Sequence, residues 1–179
     1  MTPGQELIDQ LRDCPRGAAG WMKYEQTCLA IGTYLFVPPL GAPIVQPRTR
    51  SGTERRDAVF PNWNFDLKTP WGILRQEHRA HMVVFEYKNL DERLVGNEEV
   101  NQVRSYLKEP MGGLAILCSR ERPSEGAHVV RNGIYKEEKK VILFVTDDDF
   151  MKMLDMKAQG ADPAEWILHL VAEFYVGYE

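Results

Sequence analysis

At 179 residues, with 44% hydrophobic and 27% charged side chains, the chain has the length and make-up of one soluble globular domain with a single core. Its net charge of −4 excludes wholesale attraction to polyanions, and no apolar stretch approaches the roughly 18 residues that a membrane span needs. Three cysteines without a CxxC spacing, and a start lacking the basic and apolar run of a signal peptide, exclude a disulfide framework and lead to the expectation of a cytoplasmic protein.

Thr2-Pro3, followed by acids and by Leu7, Ile8 and Leu11, predicts a short amphipathic helix that Cys14-Pro15 stops. A second helix is expected from about Trp21 to Thr33. Its buried stripe would be Trp21, Tyr24, Cys28 and Ile31, with Leu29 and Leu35 beside it and Glu25 at its edge. Prolines 38, 39 and 43 break the pattern, and the next stretch, 44–50, alternates weakly like a strand edge. A strand is expected from Arg55 to Phe60, with Asp57 and Val59 on one face, and Pro61-Asn62 ends it. Residues 63–79 read as a long insertion with a break at Pro70-Trp71-Gly72 and a short element of its own.

Met82-Val83-Val84-Phe85 is a buried-strand signature, and it runs into Glu86-Tyr87-Lys88. The period of two sets Glu86 and Lys88 on one face and Tyr87 on the other. Asn97 with Glu98 and Glu99 predicts a helix start, and that helix should run to about Lys108 with Val100, Val103 and Leu107 inward. Gln102 and Tyr106 fall one turn apart on a neighbouring face. Apolar strands follow at Gly113–Cys118 and Lys140–Thr146, separated by a helix beginning near Ser124 and breaking near Gly133. Asp147–Asp149 open a helix ending by Gly160, and Asp162-Pro163 opens a last one with Trp166, Ile167, Leu170 and Phe174 inward. Strands this continuously apolar, alternating with helices, predict an α/β fold whose sheet is covered by helices on both faces.

Charge is distributed unevenly. From Ile44 to Arg56 there are four arginines (Arg48, Arg50, Arg55 and Arg56) against one acid, while Asp147 to Glu179 holds eight acids and two lysines. A polyanion would meet the middle of the chain and avoid its end. Glu-x-Lys alone also describes a strand-end ion pair on a solvated edge. Asp57 and Glu86 together, however, supply hard oxygen ligands for Mg²⁺ or Mn²⁺, with the Tyr87 backbone carbonyl as a further one. Lys88 on the same face could polarise an attacking water and contact a phosphate, which is equipment for phosphodiester hydrolysis. His78 and His81 lack an evident third ligand, and acids are favourable at a helix start, so neither His78/His81 nor Asp147–Asp149 is read as a metal centre. No Gly-rich phosphate loop and no Ser or Cys nucleophile motif is present.

An acid on an early helix, an acid on a strand, Glu86-x-Lys88 on the next, then Gln102-x-x-x-Tyr106 is an order that resembles the restriction-endonuclease-like PD-(D/E)xK nucleases, most closely the branch of Mrr restriction enzymes and RecB-type nuclease domains. The resemblance covers roughly residues 21–146, implies a restriction-endonuclease-like core with a central mixed β-sheet flanked by helices on both faces, and leaves helical N-terminal and C-terminal extensions within one domain. It implies Asp57, Glu86, Lys88, Glu25 and Gln102 as catalytic residues. It further implies that Glu25 reaches the metal through a water and that Gln102 holds the substrate backbone or orients Lys88. Tyr106 is expected either on phosphate or in helix packing, and Arg48, Arg50, Arg55 and Arg56 along the rim of a DNA cleft. The expected activity is Mg²⁺- or Mn²⁺-dependent endonucleolytic cutting of DNA, duplex DNA first, by a restriction or defence effector or by a module targeted by a partner. The alternative is a non-catalytic nucleic-acid-binding or assembly module on the same fold. The expected partners are DNA and either a second copy or a targeting protein, with no membrane. The 29 residues between Asp57 and Glu86, and the absence of a distinct DNA-reading motif, depart from the simplest family pattern.

Overall fold

The computed structural model describes residues 2–47 and 55–178, so the calls on Arg48 and Arg50 lie outside the described residues. Helix α1 (Pro3–Arg12) is capped by Thr2, and after a 3-10 turn at Gly17–Ala19 comes α2 (Trp21–Phe36). Strands β1 (Ile44–Val45) and β2 (Ala58–Pro61) precede α3 (Pro70–His78) and the central β3 (Met82–Lys88). Then follow α4 (Asn97–Tyr106), β4 (Leu114–Ser119), α5 (Glu125–Glu138), β5 (Val141–Thr146), α6 (Asp147–Ala158) and α7 (Ala164–Val176).

Among the described residues the strands form one mixed sheet in the order β1-β2-β3-β4-β5. The first three pair antiparallel, and β3, β4 and β5 pair parallel. Parallel neighbours need crossovers, and α4 and α5 supply them. Alternation along β3 explains why the sheet is buried on both sides. Val83, Phe85 and Tyr87 point into a large core shared with α1, α2, α3, α6 and α7, while Val84 points into a smaller one under α4 and α5. The chain is therefore α/β, with helices on both faces of a five-stranded sheet.

Several local expectations change. The 63–79 stretch is no mere insertion, because α3 buries Trp71 edge-on to Phe36 at 5.1 Å and places Leu74 in the main core. Helix α5 passes through Gly133 without a break. Nothing lies near that glycine to be lost, and Arg131 and Ile134 on either side are buried, so packing outweighs a local penalty of about 1 kcal/mol. Pro61 does not end the strand before it but is its last member, pairing with Met82. Helix α4 starts after Gly96 rather than Asn97, since the Glu99 carboxylate turns back to accept the Gly96 N–H at 2.9 Å. In α7 the fully buried stripe uses Val171, with Trp166 and Leu170 only partly covered.

Candidate active site

Where the parallel strands β3 and β4 end and the antiparallel β2 begins, the ladder opens into a cleft of about 340 Å³. Clefts beyond the carboxyl ends of strands are the usual ligand sites of open α/β sheets. Pairing of Ala58 with Phe85, extended by one position, sets Asp57 across from Glu86. Both side chains belong to the α4 side of the sheet, as period-two alternation requires: Asp57 follows Val59, and Glu86 follows Val84. Asp57 Oδ2 accepts the Tyr87 backbone N–H at 2.8 Å. Because N–H and C=O of one strand residue point to the same edge, the Tyr87 carbonyl is turned toward Asp57 as well. The Tyr87 ring goes the other way, into the main core.

Lys88 Nζ lies 2.8 Å from Glu86 Oε1 and donates to Gln102 Oε1 at 2.8 Å. Gln102 Nε2 in turn donates to the Tyr106 hydroxyl at 2.7 Å. The i, i+4 spacing on α4 makes this possible. Of the two expectations for Tyr106, helix packing is met, since its ring is packed in the smaller core, and its hydroxyl accepts from Gln102 at the end of the hydrogen-bond chain that reaches Lys88. Burial, reinforced by the negative Glu86, pushes the Tyr106 hydroxyl up to about 12, so it stays protonated.

Glu86 is only 3% exposed, and among the described residues its Oε2 finds no hydrogen-bond partner. Burial pushes its carboxyl above the ordinary range, against the pull of Lys88 and of the Asp57 backbone N–H. Asp57 is pushed up to about 7, first by burial and then by the negative Glu86, with Glu25 adding to the repulsion. Glu25 lines the same cleft from α2, and its Oε1 accepts a hydrogen bond from Gln46 at 2.7 Å. The structure therefore brings Asp57, Glu86, Lys88, Glu25 and Gln102 to one cleft.

The arginines part company. Arg55 is exposed in the cleft wall, whereas Arg56 is buried with its guanidinium 5.4 Å from the centre of the Tyr106 ring. The place expected for Arg56 on an open rim is thus corrected to an inward one, because an arginine stacked on an aromatic face gains a cation–π contact there. The acidic helices α6 and α7 pack into the main core, on the sheet face away from α4.

Two residues of the cleft, Trp21 and Asn89, and Arg120, which holds Asn89, are not foreseen from the sequence. Helical spacing puts Trp21 on the buried stripe of its helix, but the ring is 48% exposed and stands in the cleft wall. Asn89, next after Lys88, donates to the carbonyls of Pro15 and Gly17, each at 2.9 Å. Arg120 follows strand β4 and donates to Asn89 Oδ1 at 2.7 Å and to the Cys14 carbonyl at 2.8 Å. A polar residue following an apolar strand was the available signal for both.

Among the described residues no three or more His, Cys, Asp and Glu side chains cluster closely enough to hold an ion by themselves. His78 turns to the Tyr175 hydroxyl and His81 to Arg75. A cation in the cleft would draw on two carboxylates, a backbone carbonyl and water. That set suits a hard ion such as Mg²⁺, which keeps several waters and takes one or two carboxylates. The unpartnered Glu86 oxygen and the mutual repulsion of Asp57, Glu86 and Glu25 fit such an ion.

No family model and no solved structure matches this chain. It is similar to the putative transposon gamma-delta 80.3 kDa protein of Escherichia coli (strain K12), 29% identical over 120 residues, which is 67% of this chain. The chain spans 16% of the length of that relative.

Proposed function

We propose that this protein is a Mg²⁺- or Mn²⁺-dependent endonuclease that hydrolyses DNA phosphodiester bonds, with a site resembling those of the PD-(D/E)xK nucleases. The observation that carries the reading is the buried Glu86 carboxylate, with one oxygen given to Lys88 and the other left without a partner beside Asp57. A buried charge in that condition is costly unless something binds it. Asp57, Glu86 and the Tyr87 carbonyl would hold the ion, with Glu25 reaching it through water. When bound, the ion supplies Lewis-acid relief of the phosphate's negative charge and makes water a better nucleophile at neutral pH.

The rest falls to the chain's own side chains. Lys88 has three N–H donors, of which Glu86 and Gln102 take two. The third can serve the attacking water or a phosphate oxygen, where positive charge stabilises the transition state more than the ground state. Gln102, itself held by Tyr106, fixes the ammonium so that this donor does not wander. Arg55 offers the DNA backbone a contact at the wall.

The test is cutting of closed circular DNA, single-stranded and double-stranded, with Mg²⁺, with Mn²⁺ and with EDTA. Cutting with either metal and none with EDTA is the expected result. Cutting that survives chelation would remove the mechanism. DNA binding without cutting under any metal would leave the non-catalytic binding module in its place.

A further inference from the structure

The four tryptophans divide by what their rings touch. Trp71 lies buried against Phe36, and Trp166 stacks on His169 at 4.5 Å. Trp63 and Trp21 are exposed, and among the described residues neither ring makes an aromatic or cation–π contact. Trp63 lies beyond Pro61, at the end of β2 remote from Asp57. Trp21 instead stands in the wall of the cleft that holds Asp57, Glu86 and Lys88.

The mount of Trp21 is rigid as well as its place being suggestive. Gly20 precedes it, and a Cβ there would meet the Pro15 carbonyl oxygen at 1.8 Å, so only glycine permits this close turn. Asn89 holds the Pro15 and Gly17 carbonyls, and Arg120 holds those of Leu11, Cys14 and Pro15. The residue after Lys88 therefore fixes the start of the helix that carries Trp21 and, one turn later, Glu25. An exposed indole loses the burial energy that a large apolar ring usually gains, yet this one is held in place beside charged groups suited to a phosphodiester.

We infer that Trp21 is a stacking platform for a nucleobase, and that the strand cut here carries an unpaired base beside the scissile phosphate. This rests on the nuclease reading above. In a duplex the faces of a base are covered by its neighbours, so an aromatic side chain reaches one only in a single strand, a frayed end, a flap or a flipped nucleotide. The phosphate would lie at the acids, its base on the indole, and the flanking backbone near Arg55. The expected duplex substrate is thereby narrowed to DNA that is unpaired at the cut.

Fluorescence anisotropy with a labelled short single strand, its duplex and a series of strands with one abasic residue tests this, with Ca²⁺ present so that binding is read without cutting. Wild type should bind the single strand more tightly than the duplex. Trp21→Leu should weaken single-strand binding about five- to hundredfold, the size of one base–aromatic stack, and leave duplex binding nearly unchanged. Trp21→Phe should recover most of the loss. For wild type, an abasic residue at one position should mimic Trp21→Leu, and the two changes together should not add. Trp21→Leu binding the single strand as tightly as wild type, losing equally on both forms, or wild type binding neither form would overturn the inference. If this pattern appears in a protein that does not cut, only the hydrolytic reading fails. If cutting is metal-dependent but Trp21→Leu binds normally, only the stacking fails.

Discussion

Two groups of acids sit at the carboxyl ends of parallel strands in this molecule, and their surroundings are opposite. At the end of β5, Asp147 accepts from the Tyr24 hydroxyl at 2.9 Å and from Arg120 at 3.1 Å. Asp149 accepts the Thr146 N–H at 2.7 Å, its hydroxyl at 2.8 Å and the Trp166 indole N–H at 2.9 Å. At the end of β3, Asp57 receives one backbone N–H, and Glu86 shares Lys88 and keeps one oxygen unpartnered. Counting acids would make Asp147–Asp149 the better metal candidate. Hydrogen bonding reverses the choice, because Asp147 and Asp149 already have donors on both oxygens to stabilise their charge, while a carboxylate buried beside another with an unpartnered oxygen needs a cation.

The sharpest way to break this comparison is to disable the β3 group. Lys88→Ala should lower single-turnover cutting at saturating DNA by about 10²–10³, as loss of one preorganised donor to a transition state does, while DNA affinity stays near wild type. Retained cutting would place the chemistry elsewhere. The β5 group should respond in stability instead. Arg120→Ala removes a charged donor from Asp147, Asn89 and the turn carbonyls, and should destabilise the fold by about 3–5 kcal/mol in urea melts. Glu86→Gln should raise metal-free stability, since it removes an unsatisfied buried charge.

Burial pushes the Asp147 carboxyl up as it does those of Asp57 and Glu86, so the direction of the shift does not separate the groups, and the pH test is made at Asp57. With Asp57 raised to about 7, the native state keeps a proton that the unfolded chain releases near pH 4, so this group's contribution to stability falls as pH rises between those values. The metal-free protein should therefore melt lower at pH 8 than at pH 5.5. Asp57→Asn should flatten that slope, and Mn²⁺ at pH 8 should reverse it by binding the native state. A melting profile independent of Asp57 would contradict the assigned shift. The smallest effect concerns the wall: Arg55→Ala should reduce the salt dependence of DNA binding by about 0.7–0.9 in log–log slope. An unchanged slope would make Arg55 a solvated bystander.

Much of this was legible in the chain. Val83–Phe85 and the apolar runs that became β4 and β5 could only be strands buried on both faces, which predicts α/β and puts Glu86 and Lys88 on one side. Gln102 and Tyr106 were placed by helical spacing, and the capping role of the α6 acids by the helix dipole. What could not be read is non-local. Periodicity puts Trp21 on the same stripe as Tyr24 but does not say that one ring is half exposed in a cleft wall while the other is fully buried. The clamp of Asn89 and Arg120 joins segments more than seventy residues apart in sequence to the turn before α2, and only the folded chain brings them together. Arg56 and Asp57 are adjacent in sequence, yet the Tyr106 ring takes one inward while the other stays in the cleft.

Calorimetric titration with Mn²⁺ at pH 8 tests most directly whether the unsatisfied acids, and not the satisfied ones, form the cation site. Wild type and Asp147→Asn should bind the ion alike, and Glu86→Gln should bind it at least about tenfold more weakly, as expected for loss of a ligand. Undiminished Mn²⁺ binding by Glu86→Gln, or its loss in a folded Asp147→Asn, would contradict the account.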